Sequence, residues 1–135
     1  MRMRFYSDGG ARGNPGPAAF AVIVCKADGF VLHEYARFIG VATNNEAEYQ
    51  GLISALGTAI DYKTDDAEFV MDSELVVKQM KGEYKVKSPH LKKLHQDAMS
   101  LAKSIGKTEF RHVRREDPKI TRADELLNQE LDRRR

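Results

Sequence analysis

The 135-residue sequence predicts an α/β fold, in which helices flank a five-stranded mixed sheet in the order βββαβααβα. Three observations support this prediction. Three apolar segments separated by turn-forming sequence occupy residues 3–39, two short apolar segments follow later in the chain, and helix-capping signals stand around them. With 41% hydrophobic and 31% charged residues, the chain fits a single domain over residues 1–135.

The N-terminal part predicts three antiparallel strands joined as a meander. Residues 3–8 form the first predicted strand, and the glycine- and proline-rich stretch 9–17 predicts a tight loop. A second strand is predicted over about 18–26. Asp28-Gly29 is a hairpin turn signal, and residues 30–39 alternate as expected for a third strand.

The middle of the chain predicts helix, strand and helix. Thr43-Asn44-Asn45-Glu46 is a capping box that opens a helix to about Tyr62. Residues 68–72 predict a short fourth strand, and residues 73 to about 81 continue as a helix.

The C-terminal part predicts two more helices around a fifth strand. Ser88-Pro89 combines an N-cap with proline at the first helical position, and this helix is expected to end at Gly106. Thr108–Val113 predicts the fifth strand. A charged loop then covers residues 114–120, and Thr121 is expected to open the last helix.

Composition excludes several classes of protein. The apolar runs are shorter than a membrane span and the N-terminus lacks the apolar region of a signal peptide, so we expect a cytoplasmic protein without a membrane partner. Cys25 is the single cysteine, which excludes an intramolecular disulfide and a thiolate zinc cluster. We expect it to be a small core residue.

Charge is divided unevenly along the chain. Residues 1–77 hold 6 Lys/Arg against 11 Asp/Glu, whereas residues 78–135 hold 16 against 9. The second part ends in a short basic tail at about 132–135. This asymmetry suits a phosphate backbone, and an ordinary solvated helix face is the alternative.

Four acidic residues stand next to polar or glycine-rich sequence at predicted strand or helix boundaries: Asp8, Glu48, Asp72 and Asp124. Each has an ordinary explanation, and Asp124 would complete a capping box with Thr121. If the strands are neighbours, however, all four converge at one end of the sheet, where unpaired carboxylates would repel one another. Oxygen ligands without a Cys or His cluster favour Mg²⁺ or Mn²⁺ over zinc.

Four motifs, in order along essentially the whole chain, resemble those of type 1 ribonuclease H, the ribonuclease HI family. The resemblance implies a ribonuclease H-like fold and an endonuclease that cuts the RNA strand of RNA–DNA hybrids, leaving 5′-phosphate and 3′-hydroxyl ends. The motifs are Ser7-Asp8-Gly9-Gly10 with Gly13-Asn14-Pro15-Gly16, Thr43-Asn44-Asn45-Glu46-Ala47-Glu48-Tyr49, Met71-Asp72-Ser73, and Arg122-Ala123-Asp124-Glu125-Leu126.

The resemblance also implies two-metal-ion catalysis, with two Mg²⁺ ions that Mn²⁺ can replace. Asp8 would bridge both ions. Glu48 and Asp72 would serve the ion beside the attacking water, and Asp124 would lie on the side of the leaving 3′-oxygen.

Substrate contacts follow from the same resemblance. Asn14, Asn44 and Asn45 match RNA-contacting positions, and the loop Gly13–Gly16 would let the backbone approach the minor groove and its 2′-hydroxyls. Thr43 aligns with a contact to a DNA phosphate, a role that competes with its capping of the helix.

One departure from the family pattern concerns a histidine. The family often places one in the loop before the last aspartate, but residues 113–123 contain none. His112 precedes this loop, and we expect it to be packed and structural. Arg115 and Glu116 are weaker candidates for the missing role.

A second departure is the short segment 81–88, where some members insert a basic helix and handle. The chain therefore resembles the compact branch that lacks the handle. Lys85 and Lys87 are expected to supply part of the electrostatic grip on the substrate.

The main hypothesis is a monomeric ribonuclease H whose partner is an RNA–DNA hybrid, with double-stranded RNA as an open further substrate. The alternative is a non-catalytic module on the same fold that binds hybrid or double-stranded RNA. A DNA-cutting relative, such as a resolvase or transposase core, and a ribonuclease H domain of a reverse transcriptase polyprotein are further alternatives.

Overall fold

A computed structural model describes residues 2–134 and contains the predicted elements in the predicted order. The first and last residues of the chain lie outside the described range, so part of the predicted basic tail does too. The elements are β1 (Arg2–Ala11), β2 (Gly16–Lys26), β3 (Val31–Ala42), α1 (Asn44–Asp61), β4 (Asp66–Met71), α2 (Glu74–Met80), α3 (Pro89–Lys103), β5 (Lys107–His112) and α4 (Pro118–Asp132).

The five strands form one mixed sheet, as the sequence predicts, and their order in the sheet is β3-β2-β1-β4-β5. The meander β1-β2-β3 is antiparallel, whereas β1, β4 and β5 run parallel to one another. In this register Tyr6 lies opposite Val70. Asp8 and Asp72 each follow these partners by two residues, so both stand at the same end of the sheet.

Helices cover both faces of the sheet, and each face has its own apolar core. Helices α1, α2 and α3 pack on one face and α4 packs on the other. Strand β2 supplies both cores because successive side chains of a strand point to opposite faces: Val22 and Val24 enter one core, and Ile23 and Cys25 enter the other. The expectation that Cys25 is a core residue is confirmed.

The predicted end of β1 at Asp8 is wrong. The strand continues through Gly9 and Gly10 to Ala11, and Gly9 pairs with Phe20 of β2. The glycines therefore do not start a loop here. A Cβ atom on Gly9 would lie 2.4 Å from the backbone carbonyl carbon and oxygen of Ala47, so the missing side chain lets α1 cross the strand at close range.

The predicted start of α4 at Thr121 is also wrong. Asp117 is the N-cap, its carboxylate accepts the amides of Lys119 and Ile120 at 2.9 and 3.2 Å, and Pro118 occupies the first helical position. Asp124 therefore lies in the second turn rather than the first, which removes its capping-box explanation. The Thr121 hydroxyl instead donates to a loop carbonyl.

The other helix starts agree with the sequence. The capping box at Thr43 is complete, since its side chain accepts the Glu46 amide at 3.1 Å and the Glu46 carboxylate accepts the Thr43 amide at 2.8 Å. Ser73 and Ser88 cap α2 and α3. Within residues 2–134, none of these helices has both the length and the apolar character needed to cross a membrane.

Candidate active site and nucleic-acid interface

All four predicted carboxylates line one cavity of about 510 Å³ at the end of the sheet where β4 ends. Each comes from a different part of the fold: Asp8 from β1, Glu48 from α1, Asp72 from the residue after β4, and Asp124 from α4. The strand register and the close crossing of α1 over Gly9 therefore bring together acids that are far apart in the sequence.

Asp8 is the most buried of the four acids, with 7% of its surface exposed. Its carboxylate accepts the Gly9 amide at 3.1 Å. Burial, and then the neighbouring charges of Asp72, Asp124 and Glu48 in that order, raise the pKa of Asp8 from its ordinary 3.8 to about 8. The protein thus holds this carboxylate where its negative charge is unfavourable unless a cation compensates it.

Glu48 has an unsatisfied buried atom. Its Oε2 is shielded from solvent and has no hydrogen-bond partner within residues 2–134. The pKa of Glu48 is raised to about 7, chiefly by burial; a hydrogen bond from Ser73 opposes this rise and the charge of Asp72 adds to it. An unpaired buried carboxylate oxygen is costly, so this atom fits a ligand position facing the cavity.

The donors present fit a hard divalent cation, although they are not drawn into a tight cluster. Within residues 2–134, no three His, Cys, Asp or Glu side chains form a closely spaced ligand group. The four carboxylates surround the cavity rather than meet at one point. Their oxygen chemistry, the orphaned Glu48 Oε2 and the mutual repulsion felt by Asp8 suit Mg²⁺ or Mn²⁺.

A second cavity of about 500 Å³ adjoins the first, and Glu48 and Asp72 line both. His112 lines this second cavity and is exposed, so the expectation that it is packed is wrong. Arg115 lines both cavities and brings a positive charge to the four acids. The sequence makes Arg115 only a weak candidate, because nothing in the loop around it indicates that the loop folds back toward the acids.

The predicted RNA-contacting residues form a hydrogen-bonded platform beside the carboxylates. The backbone N–H of Asn44 donates to Asn14 Oδ1 at 3.0 Å, and Asn44 Oδ1 accepts the backbone N–H of Ala11 at 2.8 Å. Gly13 has a φ of 100°, which the turn requires and other residues adopt poorly. Asn44 also lines the carboxylate cavity, so this platform is continuous with the site.

Thr43 and Asn45 line a separate shallow cavity of about 480 Å³ with Asn14, and the start of α3 closes its far side at Ser88 and His90. The Thr43 hydroxyl oxygen accepts the Glu46 amide, but its hydrogen remains free to donate. The capping role and the predicted phosphate contact are therefore compatible, contrary to the expected competition.

Lys85 and Lys87 lie in the loop between α2 and α3 and line neither carboxylate cavity. The side chain of Gln79 fixes this loop. Its Nε2 donates to the backbone carbonyl of Lys85 at 3.3 Å, and its Oε1 accepts a hydrogen bond from the buried Tyr49 hydroxyl. Both lysines are exposed, as a phosphate contact requires. Their substrate contacts stay a prediction.

Helix α4, which carries Asp124, is tied to the rest of the domain by ion pairs. Arg122 binds Glu34 of β3 at 2.7 Å. Near the C-terminal end of the helix, Arg12 binds Asp132 at 2.7 Å. Arg134, within the predicted basic tail, lies over the Phe38 ring at 5.0 Å and therefore docks on the domain.

Comparison with known proteins identifies the family. A family model described as reverse transcriptase-like matches residues 6–128. The bifunctional protein Rv2228c of Mycobacterium tuberculosis is 44% identical over 133 residues, which cover 98% of this chain and 36% of that protein. Ribonuclease HI of Halobacterium salinarum is 41% identical over 133 residues, which cover 97% of this chain and 65% of that protein. The chain thus spans only part of the length of these curated relatives.

Solved structures agree over the whole domain. The crystal structure of RNase H1 from Halobacterium salinarum has a TM-score of 0.92 at 40% identity and covers 98% of both chains. LC11-RNase H1, solved in complex with an RNA/DNA hybrid, has a TM-score of 0.91 at 43% identity and covers 97% of both chains. Together with the ordered sheet and its motifs, these matches show that the chain belongs to the type 1 ribonuclease H family.

Proposed function

We propose that this chain hydrolyses the RNA strand of RNA–DNA hybrids, leaving 5′-phosphate and 3′-hydroxyl ends. The observation that supports this most directly is one cavity lined by four carboxylates from four parts of the fold. One of them has a buried oxygen without a hydrogen-bond partner among residues 2–134. The similar LC11-RNase H1 was solved with an RNA/DNA hybrid, which supports the substrate class.

In this proposal Asp8, Glu48, Asp72 and Asp124 hold two divalent cations, magnesium or manganese. Such cations would activate water as the nucleophile and neutralise charge on the leaving 3′-oxygen. Asp8, the most buried acid, is the proposed shared ligand, because the other three carboxylates all raise its pKa and therefore lie around it.

The remaining residues position the substrate. The platform of Asn14 and Asn44 faces the minor groove, where 2′-hydroxyls distinguish RNA from DNA. Thr43 donates its free hydroxyl hydrogen to a DNA phosphate. Arg115, which lines both carboxylate cavities, binds the scissile phosphate and so takes the electrostatic part of the missing histidine's role.

Two further features belong to this proposal. Lys85 and Lys87 contact the phosphate backbone outside the cavity, in place of a basic handle. The chain acts as a monomer in the cytoplasm, and double-stranded RNA is a secondary substrate to be tested rather than a defining one.

The substitution Asp8→Asn tests the proposal. Cleavage of a labelled RNA–DNA hybrid in Mg²⁺ should fall at least about a hundredfold, because metal catalysis contributes several kcal/mol to the barrier. Hybrid binding, measured by fluorescence anisotropy in EDTA, should be retained, since the basic surface is unchanged. Asp97→Asn, which removes an acid on the outer face of α3, is the matched control and should cleave normally. Near-normal cleavage by Asp8→Asn would refute the site, and binding without cleavage by the parent chain would favour the non-catalytic module.

A further inference from the structure

A groove of about 850 Å³ lies away from the carboxylates, between the C-terminal ends of α2 and α3 and the outer strand β5. Its apolar wall includes Met80, Met99, Ile105 and Phe110. None of its lining residues lines either cavity that holds the carboxylates. The groove is therefore separate from the candidate active site.

The groove runs along a sheet edge with unpaired backbone groups. Strand β5 pairs only with β4 within residues 2–134. The backbone amides of Lys107 and Val113 donate to carbonyls on the β4 side. In a parallel ladder alternate residues bond to a given neighbouring strand, so the backbone N–H and C=O groups of Thr108, Phe110 and His112 point away from β4. Because β5 has no second neighbouring strand within the described residues, the N–H and C=O groups of these three residues have no strand to pair with. Two of the three, Thr108 and Phe110, line the groove.

The rim of the groove is positively charged. Lys81 and Lys103 are exposed, and neither forms an ion pair within residues 2–134. Glu109 and Arg111 also line the groove, but they alternate with Thr108 and Phe110 along β5. Their side chains therefore lie on the opposite face of the sheet, where Arg111 contacts Glu68 at 3.3 Å. Acidic groups would complement this rim, whereas a second copy of the chain bound at the same edge would bring like charges together.

We propose that the groove binds an extended acidic and aliphatic segment of a partner protein, which adds a strand to the outer edge of β5. Backbone hydrogen bonds to Thr108 and Phe110 supply the pairing, as in other cases of strand addition. Aliphatic side chains in the middle of one face of the segment enter the apolar wall, and acidic side chains at the two ends of the same face meet Lys81 and Lys103. The charged side chains of β5 on the opposite face of the sheet discourage indiscriminate pairing.

The probe is a fluorescein-labelled peptide, Asp-Thr-Val-Thr-Ile-Thr-Asp, which is long enough to span the six residues of β5 and carries its aspartates and aliphatic residues on one face. It should bind the full chain saturably in an anisotropy titration. In amide NMR spectra, Thr108 and Phe110 should shift and gain protection from hydrogen exchange. The same peptide with alternate amides methylated should not bind, because it cannot complete the ladder.

The variant Lys81→Glu/Lys103→Glu should weaken peptide binding about tenfold, since two rim contacts change sign. Lys26→Glu, on the far side of the sheet in β2, is the matched control and should bind as the parent does. Both variants should cleave RNA–DNA hybrid normally, so the result is independent of the proposed function.

Three outcomes would overturn the proposal. One is the absence of saturable binding, and another is binding that the double variant leaves unchanged. The third is a different occupant: a single-stranded oligonucleotide that shifts the β5 amides would make the groove a nucleic-acid site, and self-association lost in the double variant would make it an interface between copies.

Discussion

Replacing Asp8 with asparagine should stabilise the cation-free protein while it destroys the proposed site. Asp8 is nearly buried, and burial together with three neighbouring acids raises its pKa from 3.8 to about 8. A native carboxyl with a raised pKa holds its proton more tightly than the unfolded chain does. Its contribution is therefore destabilising, absent below about pH 3.8, and grows as the pH rises toward 8.

The size of the effect follows from these two pKa values. The pKa of Asp8 is 3.8 in the unfolded chain, so pH 7 lies about 3 pH units above it, while the folded protein still holds the proton. Each of these units corresponds to about 1.36 kcal/mol. The cost at pH 7 is thus roughly 4 kcal/mol, and at pH 5 it is roughly 1.5 kcal/mol. Asparagine cannot ionise, so Asp8→Asn should recover an amount of this order.

Urea unfolding in EDTA measures the free energy of unfolding of both proteins at pH 5 and pH 7. The variant should be more stable at both, with the larger gain at pH 7, and Asp97→Asn should show no comparable gain. Excess Mg²⁺ should reverse the order, because it stabilises only a protein that binds it. Equal stability of variant and parent in EDTA at pH 7 would refute the claim that the ionised Asp8 carboxylate destabilises the cation-free protein.

The remaining predictions concern the metal, the scaffold and the substrate grip. Mg²⁺ binding at about pH 7 should release protons and weaken on acidification, because Glu48, whose pKa is raised to about 7, must ionise to bind the cation. Calorimetry in buffers of different ionisation enthalpy measures the number of protons released. Gly9→Ala should destabilise the fold by about 1–3 kcal/mol or more and impair cleavage, since its Cβ would clash with the α1 backbone. Gly57→Ala, in α1 with open space around it, should instead stabilise by up to about 1 kcal/mol; a similar loss in both variants would contradict the close crossing. Replacing Lys85 and Lys87 by alanine should lower the salt dependence of hybrid binding by about one unit per phosphate contact, and an unchanged slope would exclude them from the grip.

Local signals in the sequence predict much of this fold. The capping box at Thr43 and the Ser88-Pro89 start are short-range hydrogen-bonding patterns, and both appear in the structure as expected. The sequence predicts the start of α4 at the wrong residue because two capping signals compete there. Asp117-Pro118 prevails over Thr121, since it provides both a carboxylate acceptor and a residue already fixed in helical φ.

Features that depend on distant contacts were not predictable in the same way. The sequence around Gly9 predicts a loop, whereas the role of this glycine is set by the backbone of α1, which crosses it. The convergence of the four acids was predicted only on the condition that the strands are neighbours, and the sheet order meets that condition. Arg115 reaches the site through the folding of a loop that carries no local signal of its path, and His112 lines the adjoining cavity from the end of β5.

The central claim is metal-dependent cleavage of RNA in a hybrid at the four-carboxylate cavity. The most direct measurement incubates the purified chain with a labelled RNA–DNA hybrid, double-stranded RNA, single-stranded RNA and duplex DNA of one sequence, each with Mg²⁺, Mn²⁺ or EDTA. The account predicts RNA fragments from the hybrid with either cation, ending in 3′-hydroxyl groups, and none in EDTA. Undiminished cleavage in EDTA, or binding of the hybrid without cleavage under every metal condition, would contradict it.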